Sequence, residues 1–131
     1  MKIFIILLLV SFQNHSLIQE NKVYLRVDKS AEPKEGFDDW YAYIIRNLVY
    51  PNEAIRNNIE GKVYLKFIVN EDGTISEIEV KKGIGYGCDQ EAIRIVSKSL
   101  LWNPGKVKDS SGVLRSVRQQ IIFPLEFKLP D

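Results

Sequence analysis

An alternating run that turns back on itself constrains the fold of this chain more than any other feature. Over residues 62–69 the apolar side chains Val, Leu, Phe and Val occupy every second position, as in a half-buried β-strand. Asp72-Gly73 follows, and this dipeptide between two β-rich runs is typical of a hairpin turn. A return strand is predicted over 74–81, with its apolar residues on the inner face. The sequence therefore predicts two antiparallel neighbouring strands.

Helical segments are predicted on both sides of this hairpin. Apolar residues recur at helical spacing over 38–48 and again over 90–99, as in amphipathic helices. Pro51 interrupts the first pattern, and a short helical piece over 52–57 can restart there because proline is well tolerated in a first turn. Asp89 stands where its side chain can cap the last helix. The buried stripe predicted for that helix consists of Ala92, Ile93, Val96 and Leu100.

The last strand is predicted over 114–129, and its alternate residues from Val117 to Phe127 share one face. It contains Pro124, which has no N–H to donate to a neighbouring strand. At least part of this strand should therefore lie at an edge of the sheet. The order helix, strand, strand, helix, strand predicts an α+β fold. We expect a two-layer sandwich in which a small antiparallel three-stranded sheet carries two helices on one face.

The N-terminus has the pattern of a targeting segment. Lys2 precedes a short apolar run over 3–10, and polar residues follow, as in a secretory signal peptide. The run is shorter than the roughly 20 apolar residues that a membrane-spanning helix needs. A buried strand and a short N-terminal anchor are the alternatives. We divide the chain into a signal peptide or anchor at 1–19, an N-terminal extension at 20–36 and one domain at 37–131.

Composition argues against several classes of function. Lys and Arg number 18 and Asp and Glu number 17, so the dominant basic face of a nucleic-acid-binding protein is not expected. Cys88 is the one cysteine of the sequence, and we expect it to be buried as a small hydrophobic residue. His15 is the one histidine, so neither a metal site nor a Ser/His/Asp arrangement is predicted. We therefore expect a protein without enzymatic activity, cofactor or metal.

Six short motifs occur in a fixed order along the chain. They are Tyr50-Pro51-x-x-Ala54, Ile59-Glu60-Gly61-Lys62-Val63, Phe67-x-Val69-x-x-Asp72-Gly73-x-Ile75, Asp89-x-Glu91-Ala92, Trp102-x-Pro104-Gly105 and Phe123-Pro124-x-x-Phe127-x-Leu129. Together they resemble the C-terminal domain family of TonB-type energy transducers, over about residues 37–129. The residues that carry structural roles in this resemblance are Tyr50, Pro51, Gly61, Asp72, Gly73, Trp102, Pro104 and Gly105.

The resemblance implies a periplasmic protein of Gram-negative bacteria that contributes to energy-coupled transport. Its implied partners are TonB-dependent outer-membrane transporters, whose short extended TonB box adds a strand beside the last strand of the domain. Inner-membrane motor proteins and a second copy of the chain are further implied partners. The partner-binding edge is expected over 115–124. Its expected residues are Arg115, Val117, Gln119, Ile121 and Phe123, and Gln119 with Gln120 should keep this edge soluble.

A second function stays open at this point. A full transducer carries an N-terminal membrane helix and a long proline-rich spacer, whereas the sequence ahead of residue 37 has a short apolar run and no such spacer. This pattern favours a soluble periplasmic interaction module with a TonB-like fold and no energy-transducing role. An uncleaved N-terminal segment would instead tether the domain to the inner membrane.

Overall fold

The computed structural model describes residues 22–131, so the predicted signal peptide lies outside the described residues. Within this range the chain forms three helices and seven strands. The helices are α1 (Phe37–Asn47), α2 (Asn52–Arg56) and α3 (Cys88–Ser97). The strands are β1 (Val23–Tyr24), β2 (Glu32–Pro33), β3 (Gly61–Val69), β4 (Ile75–Lys82), β5 (Trp102–Asn103), β6 (Gly105–Lys108) and β7 (Leu114–Phe127).

The main sheet is built around β7. Its order is β1-β7-β3-β4, and β6 pairs with the first four residues of β7. The predicted α+β class and the β3–β4 hairpin are confirmed, and β4, β3 and β7 are three neighbouring antiparallel strands with β4 at one edge of the sheet. The sheet differs from the prediction because β6 extends it and β1, which runs parallel to β7, makes it mixed. A separate two-stranded sheet joins β2 to β5.

The core lies between the sheet and the helices. The predicted inner face of β3 is fully buried, as are Trp40 and Ile44 of α1. Cys88 is buried, as predicted. The predicted buried stripe of α3 is wrong at Leu100, which is 52% exposed, because the helix ends at Ser97. Ile95 takes a buried place on this helix instead.

The predicted extension is tied to the domain from Asp28 onwards. Lys29 and Lys106 exchange backbone hydrogen bonds of 3.0 and 2.8 Å. Gln119 of β7 turns its side chain inwards, where Oε1 accepts a hydrogen bond from the Ala31 N–H at 2.7 Å and Nε2 donates to Ser30 Oγ at 3.2 Å. The part of the extension that follows Val27 is therefore a structural layer of the domain.

Replacing Gln119 with alanine should lower the free energy of unfolding by about 1–3 kcal/mol, because the buried N–H of Ala31 would lose its acceptor. Chemical denaturation followed by circular dichroism measures this loss. Gln120→Ala is the matched control, since Gln120 is half-buried beside it, and should change stability by less than about 0.5 kcal/mol. Equal losses in the two variants would contradict the role of the buried amide.

The glycine-rich loop before α3 is shaped by a carboxylate. Asp89 does not cap the helix as predicted; its Oδ1 accepts hydrogen bonds from the backbone N–H groups of Ile84 at 2.9 Å and Gly85 at 3.4 Å. A Cβ atom at Gly83 would overlap this carboxylate. Gly87, with φ at 85°, supplies the left-handed N-cap of the helix. The loop is thus a turn that Asp89 holds closed.

Candidate functional site

One long side of β7 has an unoccupied stretch. On its first side β7 pairs with β3 from Gln119 to Phe127. On the opposite side β1 pairs with it at Arg118 and Gln119. Within the described range 22–131, no strand pairs with residues 120–127 on that opposite side. We call residues 120–127 on this side the open edge.

The N–H and C=O groups of successive residues in a strand point alternately to its two sides. This alternation decides which residues of β7 present unpaired backbone groups at the open edge. The Asn70 N–H donates to the Thr74 carbonyl across the β3–β4 turn, so the backbone groups of Asn70 face β4. Backbone groups alternate between the two sides of a strand, so those of the preceding residue, Val69, face its β7 partner Gln119. The odd-numbered residues of β7 that follow face β3 in the same way. The residues that face outwards are Gln120, Ile122, Pro124 and Glu126. Ile122 and Glu126 each present a free N–H and C=O group to an incoming strand, and Pro124 presents a carbonyl alone. The N–H of Gln120 is the group that the parallel pairing with Tyr24 uses.

A groove of about 660 Å³ runs between α1 and the open edge. Helix α1 contributes Tyr41, Ile44 and Ile45, and its C-cap residue Leu48 lies beside them. Strand β7 contributes Phe123, Pro124, Leu125 and Glu126. Ile45 is 76% exposed and Tyr41 is 45% exposed, so apolar surface faces solvent directly beside free main-chain groups. An extended peptide needs both features, because the edge binds its main chain and the groove takes alternate side chains.

The wall of the groove is held in place by contacts at both ends of α1. The Trp40 ring meets the Phe123 ring edge to face at a centroid distance of 4.7 Å, which joins α1 to β7. At the C-terminal end of α1, Arg94 Nη2 donates to the Asn47 carbonyl at 3.0 Å, and Arg94 is itself paired with Glu91. The groove is therefore formed before any partner arrives.

The structure shows where the expected edge residues lie. Val117, Gln119 and Phe123 are buried, Ile121 is half-buried, and Arg115 is exposed and pairs with β6. Their backbone groups face β3 or β6, and Gln119 is an interior residue rather than a solubilising one. The free main-chain groups belong to the even-numbered residues of the same strand. Pro124 was the available signal, because a proline marks the side of a strand on which no N–H is needed.

The motif residues near α2 support the fold. The Tyr50 hydroxyl donates to the Ile59 carbonyl, and its ring meets Phe127 edge to face at 5.6 Å. Burial raises the pKa of Tyr50 above its usual value, and the nearby Cys88 and Glu60 raise it further. Pro51 is the N-cap residue of α2. These residues join the α1–α2 connection to the core, and Tyr50 also lines the groove beside the open edge.

The remaining motif residues shape turns. Asp72 accepts hydrogen bonds from the Thr74 N–H at 3.0 Å and hydroxyl at 2.6 Å, which lower the pKa of this carboxyl. Pro104 separates β5 from β6. At each of the three motif glycines, a Cβ atom would crowd a neighbouring residue. These are Gly61 beside Ile84, Gly73 against the Trp102 carbonyl and Gly105 against the Gln119 side chain.

Residues 22–131 also bear on two other kinds of site, a metal centre and a membrane span. No group of three or more His, Cys, Asp or Glu side chains in residues 22–131 is arranged to hold a metal ion. None of the helices within that range has the length and apolar character required to cross a membrane. The feature that the described part of the chain offers for recognition is the open edge with its groove.

The comparison with known families agrees with this geometry. A family model described as the Gram-negative bacterial TonB protein C-terminal matches residues 46–129, which include α2, α3 and the whole of β3, β4 and β7. A search of curated proteins returns no match for this chain. The matched family consists of protein-interaction domains of the cell envelope that act with outer-membrane transporters. The match covers more than half of the sequence, and the chain therefore belongs to the TonB C-terminal domain family.

Proposed function

We propose that this protein binds the TonB-box segment of TonB-dependent outer-membrane transporters and contributes to energy-coupled transport from the periplasm. The observation that carries the proposal is the open edge of β7 beside the α1 groove. The segment would lie along residues 120–127 as an added strand. Membership of the TonB C-terminal family supports this choice of partner.

The open edge and the groove account for both the affinity for a partner segment and the selection among segments of different sequence. Ile122 and Glu126 offer N–H and C=O groups that recognise any extended main chain, whatever its sequence. The groove adds selection, because every second side chain of the bound segment would face Tyr41 and Ile45. An extended segment with apolar residues at alternate positions is the ligand that fits these two surfaces.

Replacing Ile122 with proline should weaken capture of transporters at least about tenfold, since it removes an outward N–H from the open edge. The N–H of Ile122 points away from β3, so the β3–β7 ladder should survive the change. The measurement is a pull-down from solubilised outer membranes with the full-length chain, tagged at its C-terminus, followed by identification of the captured transporters.

Ile122→Ala is the matched control because it removes the same half-exposed side chain and keeps the N–H. It should capture transporters within about twofold of the unchanged chain. Equal capture by the proline variant would rule out pairing at this edge. A folded chain that captures no transporter in any form would instead favour a periplasmic interaction module without an energy-transducing role.

A further inference from the structure

The N-terminal strand lies on the same side of β7 as the open edge. β1 pairs in parallel with β7, with Val23 opposite Arg118 and Tyr24 opposite Gln119. The open edge begins at the next residue, Gln120. One end of the surface that would receive a partner strand is therefore covered by the protein's own chain.

The segment that forms this cover is weakly held. We call residues 22–27 the arm. Its ladder with β7 spans two residues, Val23 and Tyr24, and both are only half-buried. The cation–π contact of Lys22 Nζ with the Tyr24 ring, at 4.5 Å, lies within the arm itself. Leu25 is 69% exposed, and the chain bends there, so the arm leaves β7 directly after its second paired residue.

The chain after the arm is firmly fixed. Asp28 Oδ2 accepts a hydrogen bond from the Lys108 N–H at 2.7 Å, and the Asp28 N–H donates to the Lys106 carbonyl at 2.9 Å. Ala31 is bound to Gln119 by the buried hydrogen bond described above. A weak two-residue strand is thus tethered beside the edge by a strong anchor. Such a tether gives the arm a local concentration of about the millimolar range at the positions that it covers.

We infer that the arm is a displaceable competitor for the end of the partner-binding edge. This inference rests on the proposed function and concerns its regulation. A bound segment that extends past Gln120 towards Arg118 meets the arm and must displace it. Only molecules in which the arm is undocked can bind this longer segment. The apparent affinity for the segment is therefore reduced in proportion to the undocked fraction. The free arm lengthens the available edge from 120–127 to 118–127.

Weakening the arm should therefore tighten binding. We compare the full-length chain with a Val23→Gly/Tyr24→Pro variant, which removes the side chain and N–H groups that dock the arm. The probe is a synthetic peptide copied from the TonB box and flanking residues of a transporter of the same organism, and fluorescence anisotropy gives Kd. The variant should bind about five- to tenfold more tightly, as expected for the loss of one or two competing hydrogen bonds. Leu25→Ala, at the exposed bend, should stay within about twofold.

Hydrogen exchange tests the displacement directly. On addition of the peptide to the unchanged chain, backbone amides of residues 23–24 should lose protection while the outward-facing amides of Ile122 and Glu126 gain it. An unchanged or weaker Kd for the arm variant, together with unchanged exchange at 23–24, would overturn the inference and leave the proposed function intact. Absence of peptide binding to the unchanged chain and to the arm variant would overturn the proposed function, and the inference with it.

Discussion

Replacing Gly73 with alanine should destabilise the domain by about 2–5 kcal/mol, one of the largest effects that we expect from a single methyl group. Gly73 has a φ of 85°, which costs an L-residue free energy in itself. A Cβ atom there would also overlap the Trp102 carbonyl oxygen, which belongs to the backbone and cannot rotate away. Thermal unfolding followed by circular dichroism measures the change.

Gly112→Ala separates these two costs. Gly112 has a similar φ of 82°, but apart from its two neighbours in the chain no described residue has an atom within 4 Å of the place that its Cβ would take. This variant should therefore lose only the conformational part, about 1–2 kcal/mol. Equal melting temperatures for the two variants would mean that the turn relaxes away from Trp102 without cost.

Truncation of Trp102 to alanine should cost about 3–5 kcal/mol of unfolding free energy. The side chain is 3% exposed, and its ring meets those of Trp40 and Phe67 edge to face at 5.3 and 5.5 Å. Chemical denaturation gives the value.

Trp102→Phe is the control for this effect. The Trp102 Nε1 has no hydrogen-bond partner among the described residues, so phenylalanine forfeits volume but no hydrogen bond. The expected loss is about 1–2 kcal/mol. A phenylalanine variant as unstable as the alanine variant would show that something other than packed volume fixes this ring.

The sequence predicted the parts of the fold in which apolar residues recur at a regular spacing. The β3–β4 hairpin, the buried face of β7 and the two longer helices follow from repeats of two or about 3.6 residues. The strands β2 and β5, each two residues long, are too short to show a period. Their positions depend on partners far along the chain, and a single-sequence pattern contains no information on such pairs.

The same limit applies to the candidate site. The alternating pattern along β7 predicts the Gln119 side chain on the inner face, whereas the polarity of this side chain suggests that it is exposed to solvent. Only the fold shows that Ala31, 88 residues away in sequence, donates to it. Pro124 correctly indicated an edge, and its position also marks the even-numbered residues of β7 as those that face this edge, because proline has no N–H to donate. The α1 groove, likewise, is visible only once the helix is packed on the strand.

The order of the strands along the chain has a consequence for how the domain folds, because β7 follows all of its partner strands in sequence. A chain made from its N-terminus first produces the hairpin and all three helices before the strand that joins β1, β3 and β6 exists. Until β7 has been made, β3 has no second neighbour and its apolar face has no completed core. Pairing of β7 with β1 then closes a loop of nearly a hundred residues, which is a slow class of contact to form. We therefore expect the domain to reach its folded state only after β7 has been synthesised.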